Sequence, residues 1–169
     1  MRYLLLFFVA SVFTLGCQIE SKELSSVRSV NWEKRKMKSP IGSVDLGTTY
    51  LSVYSNIYSR TEHQSKELTA TISMRNINSS DSIYIHKAEY FNTKGEHIRT
   101  YFDFPIFIAP LETVEIVIDE MDREGGSGAN FLFDWSVPEG THEPYFEAVM
   151  ISSNGQQGLS FTTRGVKVK

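Results

Sequence analysis

The sequence predicts an all-β protein: an antiparallel, immunoglobulin-like β-sandwich of about eight or nine strands. Three observations predict it. From Thr49 onward, short apolar runs alternate with period two, and Gly, Asn, Asp and Pro fall between them. No window carries a helical stripe, so nothing is available to cross over between parallel strands. Aromatic residues make up 12% of the chain, enough for a β-type core, and the single cysteine leaves that core without an internal disulfide. A domain of this size buries roughly two thirds of its unfolded surface and needs no crosslink.

The first element is an address. Behind Met1-Arg2, an apolar run of 14 residues extends from Tyr3 to Gly16. A membrane-crossing helix needs roughly 20 apolar residues, so the run reads as a secretory signal over residues 1–16. It ends in Thr14-Leu15-Gly16-Cys17. A small residue before the only cysteine resembles the lipobox of bacterial lipoproteins, although Thr14 stands where the usual box has Leu. The resemblance implies a lipidated Cys17 carrying palmitate-type acyl chains, with cleavage before it. Two or three such chains anchor stably where one does not. Gln18 follows, and the Asp that marks inner-membrane retention in enterobacterial-type sorting is absent, which favours the outer membrane.

Residues 17–43 read as the lipidated cysteine and a flexible basic tether. The stretch 18–40 carries a net charge of +3, against −7 for residues 41–169. Two readings stand: a solvated spacer, or a basic cluster (Lys34, Arg35, Lys36) with Trp32 against anionic headgroups. A short helix over 22–36 is poorly patterned.

The sandwich occupies residues 44–169. Its runs are Thr49–Ser55, then Glu67–Arg75, with Leu68, Ala70, Ile72 and Met74 on one face. Ile83–Phe91 and His97–Phe102 form a hairpin around Gly95. Phe104–Leu111 holds Pro105 and Pro110, which fits an edge or a crossover. Thr113–Asp119 turns Val114, Ile116 and Ile118 inward. Asn130–Val137, with Trp135 in the core, Tyr145–Ser152 and Leu159–Arg164 complete the set.

Several of these pieces resemble a bacterial family known only as domain of unknown function 3124. They include Tyr50–Ser55, Thr71–Asn76, Gly125–Phe131, Glu147–Ile151 and Gly158–Gly165. The similarity spans residues 45–166. It implies a bacterial protein, often exported, and no assigned activity, so no functional residue carries over.

The most unusual stretch is Asp119–Phe131, DEMDREGGSGANF. Asp119 and Asp122 suit calcium. The amides of Gly125, Gly126, Ser127 and Gly128, with Asn130, suit an anion or glycan. The plain alternative is a strand-to-strand loop whose glycines supply backbone angles. An up-and-down walk brings connections 56–66, 92–96, 120–129 and 153–158 to one end, where recognition loops commonly gather. Tyr54 reads as core; Tyr50, Tyr54 and Tyr58 would share a sugar-stacking face only if the first strand continued, and Asn56 suggests that it stops. Enzyme signals are weak. Gly125-Gly126-Ser127-Gly128-Ala129 lacks the helix a nucleophile elbow needs. His86 and His97 should face solvent, His142-Glu143 reads as a loop tip, and no metal spacing is present.

The expected function is that of an envelope-anchored lipoprotein, a non-catalytic binding or protein-interaction module. A small-ligand binder at residues 119–130, taking calcium, an anion or a glycan, is the alternative, and a hydrolase is third. The acidic balance argues against nucleic acid. The expected partners are the membrane, through the N-terminal lipid, and an envelope protein or glycan. No cofactor is called for.

Overall fold

The computed structural model describes residues 30–37, 42–153 and 158–169. The expected signal peptide and Cys17 lie outside the described residues. The strands are β1 (Val44–Val53), β2 (Asn56–Ser59), β3 (Thr61–Glu67), β4 (Thr69–Arg75), β5 (Ile83–Phe91) and β6 (His97–Phe102). They continue as β7 (Ile106–Ile108), β8 (Thr113–Ile118), β9 (Ala129–Pro138), β10 (Tyr145–Ser152), β11 (Leu159–Arg164) and β12 (Val166–Lys167).

All pairings are antiparallel. One sheet runs β12-β1-β9-β5-β6, with β7 also on β5; the other runs β11-β10-β4-β8; β2 and β3 form a separate hairpin. The all-β antiparallel sandwich is therefore what the chain forms. The β4–β8 and β5–β9 neighbours stand where the B–E and C–F pairs of an immunoglobulin domain stand. The outer strands are placed differently: β1 lies beside β9, and β10 crosses to lie beside β4. Among the described residues there are twelve strands rather than eight or nine, because 56–66 is itself a hairpin and Val166–Lys167 adds a short edge to β1.

Period-two patterning decides the core. Leu51 and Val53 of β1 and Phe131, Phe133, Trp135 and Val137 of β9 turn inward from the first sheet. Ala70, Ile72 and Met74 of β4 and Ile116 and Ile118 of β8 meet them from the second. Phe133 stacks on Phe146 across the interface at 4.5 Å between ring centroids. Trp135 sits opposite Gly47, where any Cβ would strike the indole, and its Nε1 donates to Thr49 Oγ1 at 2.9 Å.

Two expectations change. The strip Tyr50-Tyr54-Tyr58 does not form. Strand β1 ends at Val53, the Ser55 N–H donates to Gly126 O, and the Leu68 N–H donates to Ser55 O, so the chain turns a corner. Tyr54 lies edge-on to Phe161, while Tyr58 is exposed on the hairpin. The second change concerns the tether, because residues 30–37 lie on the sandwich. Trp32–Arg35 makes one 3-10 turn capped by Asn31, and Trp32 packs on Phe102 at 4.7 Å. Arg35 Nη2 meets Glu112 Oε1 at 2.7 Å, and the Met37 N–H donates to Pro105 O. The Arg35 hydrogen bond holds the Glu112 carboxyl below its ordinary pKa. A single 3-10 turn with one large apolar side chain is too short to show a period in sequence.

Candidate functional site

The Gly-rich segment closes one end of the sandwich. Connections 54–55, 92–96 and 119–128 meet there, and Ser152 and Leu159, which pair with each other on either side of 153–158, lie at the same end. Residues 154–157 fall outside the described residues.

Within this end the backbone is largely engaged. Asp119 Oδ1 accepts from the Met121 N–H at 3.0 Å, and the Asp122 N–H donates to Asp119 O. Asp122 has a fully buried side chain, and Arg99 Nη1 reaches its Oδ2 at 3.1 Å. Arg99 Nη2 continues to Glu124 at 2.9 Å. Gly125 packs so closely on Tyr90 Oη and Ser55 Oγ that a Cβ would overlap both. Its carbonyl accepts from the Thr93 N–H and hydroxyl, and the Gly128 N–H donates to Thr93 Oγ1. Gly126 has φ +75°, a left-handed angle that glycine takes without strain. Ser127 sits on the 3-10 turn Gly126–Gly128 and leads into β9, not a helix. Asn130 pairs with Ser52 and Phe91 within the sheet.

Chemically, this is a polar lock beneath a loop. Tyr90 is fully buried, shares a 2.9 Å hydrogen bond with Ser55, and has its phenol pKa pushed up to about 12 by burial. Burial likewise raises the Tyr101 phenol, which accepts from Arg99 at 3.1 Å. A guanidinium already meeting two carboxylates and a phenol oxygen compensates the acidic run from within the protein. Among the described residues, no group of three or more His, Cys, Asp and Glu could hold a metal ion.

A second feature lies on the outer face of the six-stranded sheet. An open groove of about 320 Å³ is lined by Leu46, Thr48, His86, Asp134 and Lys169, over a floor of Gly47 and Trp135. Thr48 Oγ1 donates to Asp134 Oδ1 at 2.8 Å, and His86 Nε2 lies 2.7 Å from Ser136 Oγ. Burial lowers the His86 pKa from its ordinary value, with the Asp134 charge opposing it. Lys87 Nζ stands 3.9 Å from Asp134 and 2.8 Å from Glu89.

Sequence reasoning placed His86 toward solvent and passed over this groove. A signal was present, because the inward series Ile83, Ile85 breaks phase before Ala88, Tyr90. That break is a β-bulge at Ile85/Lys87, which turns His86 out beside Lys87. Of the other histidines, His63 and His97 are exposed, and the His142 backbone is held at both its N–H and C=O by Asn78.

Next to the groove, Tyr50 pairs with Val166 and Leu132, and the Val168 N–H donates to Thr48 O. Leu46, Val166 and Val168 are 68%, 61% and 54% exposed. With Tyr50 they form an apolar strip on the β12-β1-β9 side of the outer face.

No curated protein matches the chain. Among solved structures, it is similar to the crystal structure of Thermotoga maritima 1070, at 8% sequence identity and a TM-score of 0.46, over 71% of this chain and 92% of that one. The family described as Protein of unknown function (DUF3124) matches residues 46–168, which takes in the loop end and every groove residue except Lys169. The chain belongs to that family.

Proposed function

We propose that the protein is an envelope-anchored lipoprotein whose sandwich is a non-catalytic binding module. Its binding face is the outer face of the six-stranded sheet. The observation that carries this reading is the apolar strip of Leu46, Tyr50, Val166 and Val168. Scattered surface apolar residues need no explanation, but a contiguous group beside a polar groove marks a site of contact. The opposite outer face offers a different surface, with Thr69, Thr71, Ser73, Thr162 and Arg164 along its strands. The anchor rests on Thr14-Leu15-Gly16-Cys17 behind the apolar run. Gln18 supports the outer membrane as its destination.

Site-specific photocrosslinking in the native envelope tests the binding face. A photoreactive residue at Tyr50 or Val166 should give discrete adducts, and one at Thr162 or Ser160 should not. Equal labelling from both faces, or none from Tyr50 and Val166, refutes the reading. The anchor has its own test: Cys17→Ser should abolish acyl labelling and release the protein from the membrane fraction.

A further inference from the structure

We propose that the outer-face groove of Leu46, Thr48, His86 and Asp134 binds a neutral sugar ring of an envelope glycan. This deepens the binding-face reading above and rests on it.

The groove's charges exclude an ionic ligand by symmetry. An anion would meet the Asp134 carboxylate. A cation would meet Lys87, which flanks the groove with its Nζ 3.9 Å from Asp134. The groove instead alternates donors and acceptors. Thr48 donates to one oxygen of Asp134, and that carboxylate, about half exposed, keeps further lone pairs for hydroxyl donors. One nitrogen of His86 is engaged with Ser136, and the second suits a ligand hydroxyl. Lys169 lines the rim, its backbone oxygen accepting from the Thr48 N–H at 3.3 Å. A polyol satisfies such a set because each hydroxyl both donates and accepts.

The apolar part fits the same ligand. Leu46, 68% exposed, forms the apolar wall, complementary to the C–H face of a pyranose, while the Trp135 indole itself is turned into the core beneath Gly47. At about 320 Å³, the groove sits at the small end of ligand pockets, about 300–1,000 Å³, which suits one or two rings. The bulge at Ile85/Lys87 sets His86 and Lys87 side by side on the outer face, where regular alternation would leave only one of them.

The test is saturation-transfer NMR on the full chain purified from membranes in a non-glycosidic detergent. The probes are maltose, cellobiose, lactose and chitobiose. At least one should give a saturable signal that Asp134→Asn and His86→Ala each weaken by about tenfold, which is about 1.4 kcal/mol. Thr162→Ala, on the other outer face, should leave it unchanged. Asp134→Asn preserves side-chain shape, and thermal melting of each variant confirms folding. No saturable signal with any of the four probes, or a signal that survives both groove variants, overturns the proposal. If crosslinks from Tyr50 persist while no sugar binds, the sugar inference fails and the binding face stands. If sugar binds and the crosslinks are absent, the apolar strip is the part that fails.

Discussion

Replacing Asp122 with asparagine separates a ligand loop from a structural lock. The Asp122 side chain is 0% exposed and that of Arg99 20%, so their 3.1 Å contact is shielded from solvent. Glu124, the second carboxylate on Arg99, is 60% exposed and screened by water. Removing one partner of a buried pair costs about 3–5 kcal/mol, because the other charge is left uncompensated. Asparagine keeps the shape and an acceptor for the Glu124 N–H, and Arg99 keeps Glu124. The expected loss is therefore about 2–3 kcal/mol, or roughly 6–10 °C in melting temperature for a domain of this size. Urea unfolding and calorimetry, each with and without calcium, measure it. Arg99→Leu combined with Asp122→Leu should cost less than the two single changes added together. A loss below about 1 kcal/mol refutes the lock. So does a calcium-induced rise in the melting temperature of the wild type that the variant lacks, since a ligand stabilises by mass action.

Three further outcomes follow from the same geometry. Gly125→Ala should destabilise by about 1–3 kcal/mol in urea, because a Cβ there overlaps Tyr90 Oη and Ser55 Oγ; a neutral result would mean that the end of the sandwich is loosely packed. Trp32→Ala should lower stability by about 1–2 kcal/mol, since the ring is only partly buried against Phe102; an unchanged melting curve would return residues 30–37 to the tether. Tyr90, raised to about 12 chiefly by burial, holds its proton more tightly folded than unfolded, so its contribution is whole below pH 10 and lost as pH rises through 10–12. That shift corresponds to roughly 2–3 kcal/mol, and Tyr90→Phe should flatten this alkaline limb in a pH series of urea melts, whereas an identical limb in the variant would remove Tyr90 as its source.

Sequence reasoning was strongest where a local rule had one outcome. Alternation set the inward residues of β4 and β8, because in a strand successive side chains can only point to opposite faces. The two prolines kept Phe104–Leu111 out of a central ladder, as an edge or a crossover, since they cannot donate to it; β7 lies beside β5. The walk of strands also brought the Gly-rich loop to the end it shares with 92–96. None of these required knowledge of which strand pairs with which.

Function-bearing geometry depended on that missing knowledge. Asp122 looked like a free carboxylate in an acidic loop until Arg99, 23 residues away on β6, was set beneath it. The groove joins β1, β5 and β9, so Thr48 meets Asp134 across 86 positions and His86 meets Ser136 across 50. Trp32 found Phe102 through a single 3-10 turn that leaves no periodic trace. The sequence by itself determined the layer type, the inward faces and the turns, because these follow from chain stereochemistry and burial over a few residues. Only the tertiary structure decided which charges are spent inside the protein and which face outward, because electrostatic and hydrogen-bond partners are chosen by proximity in space.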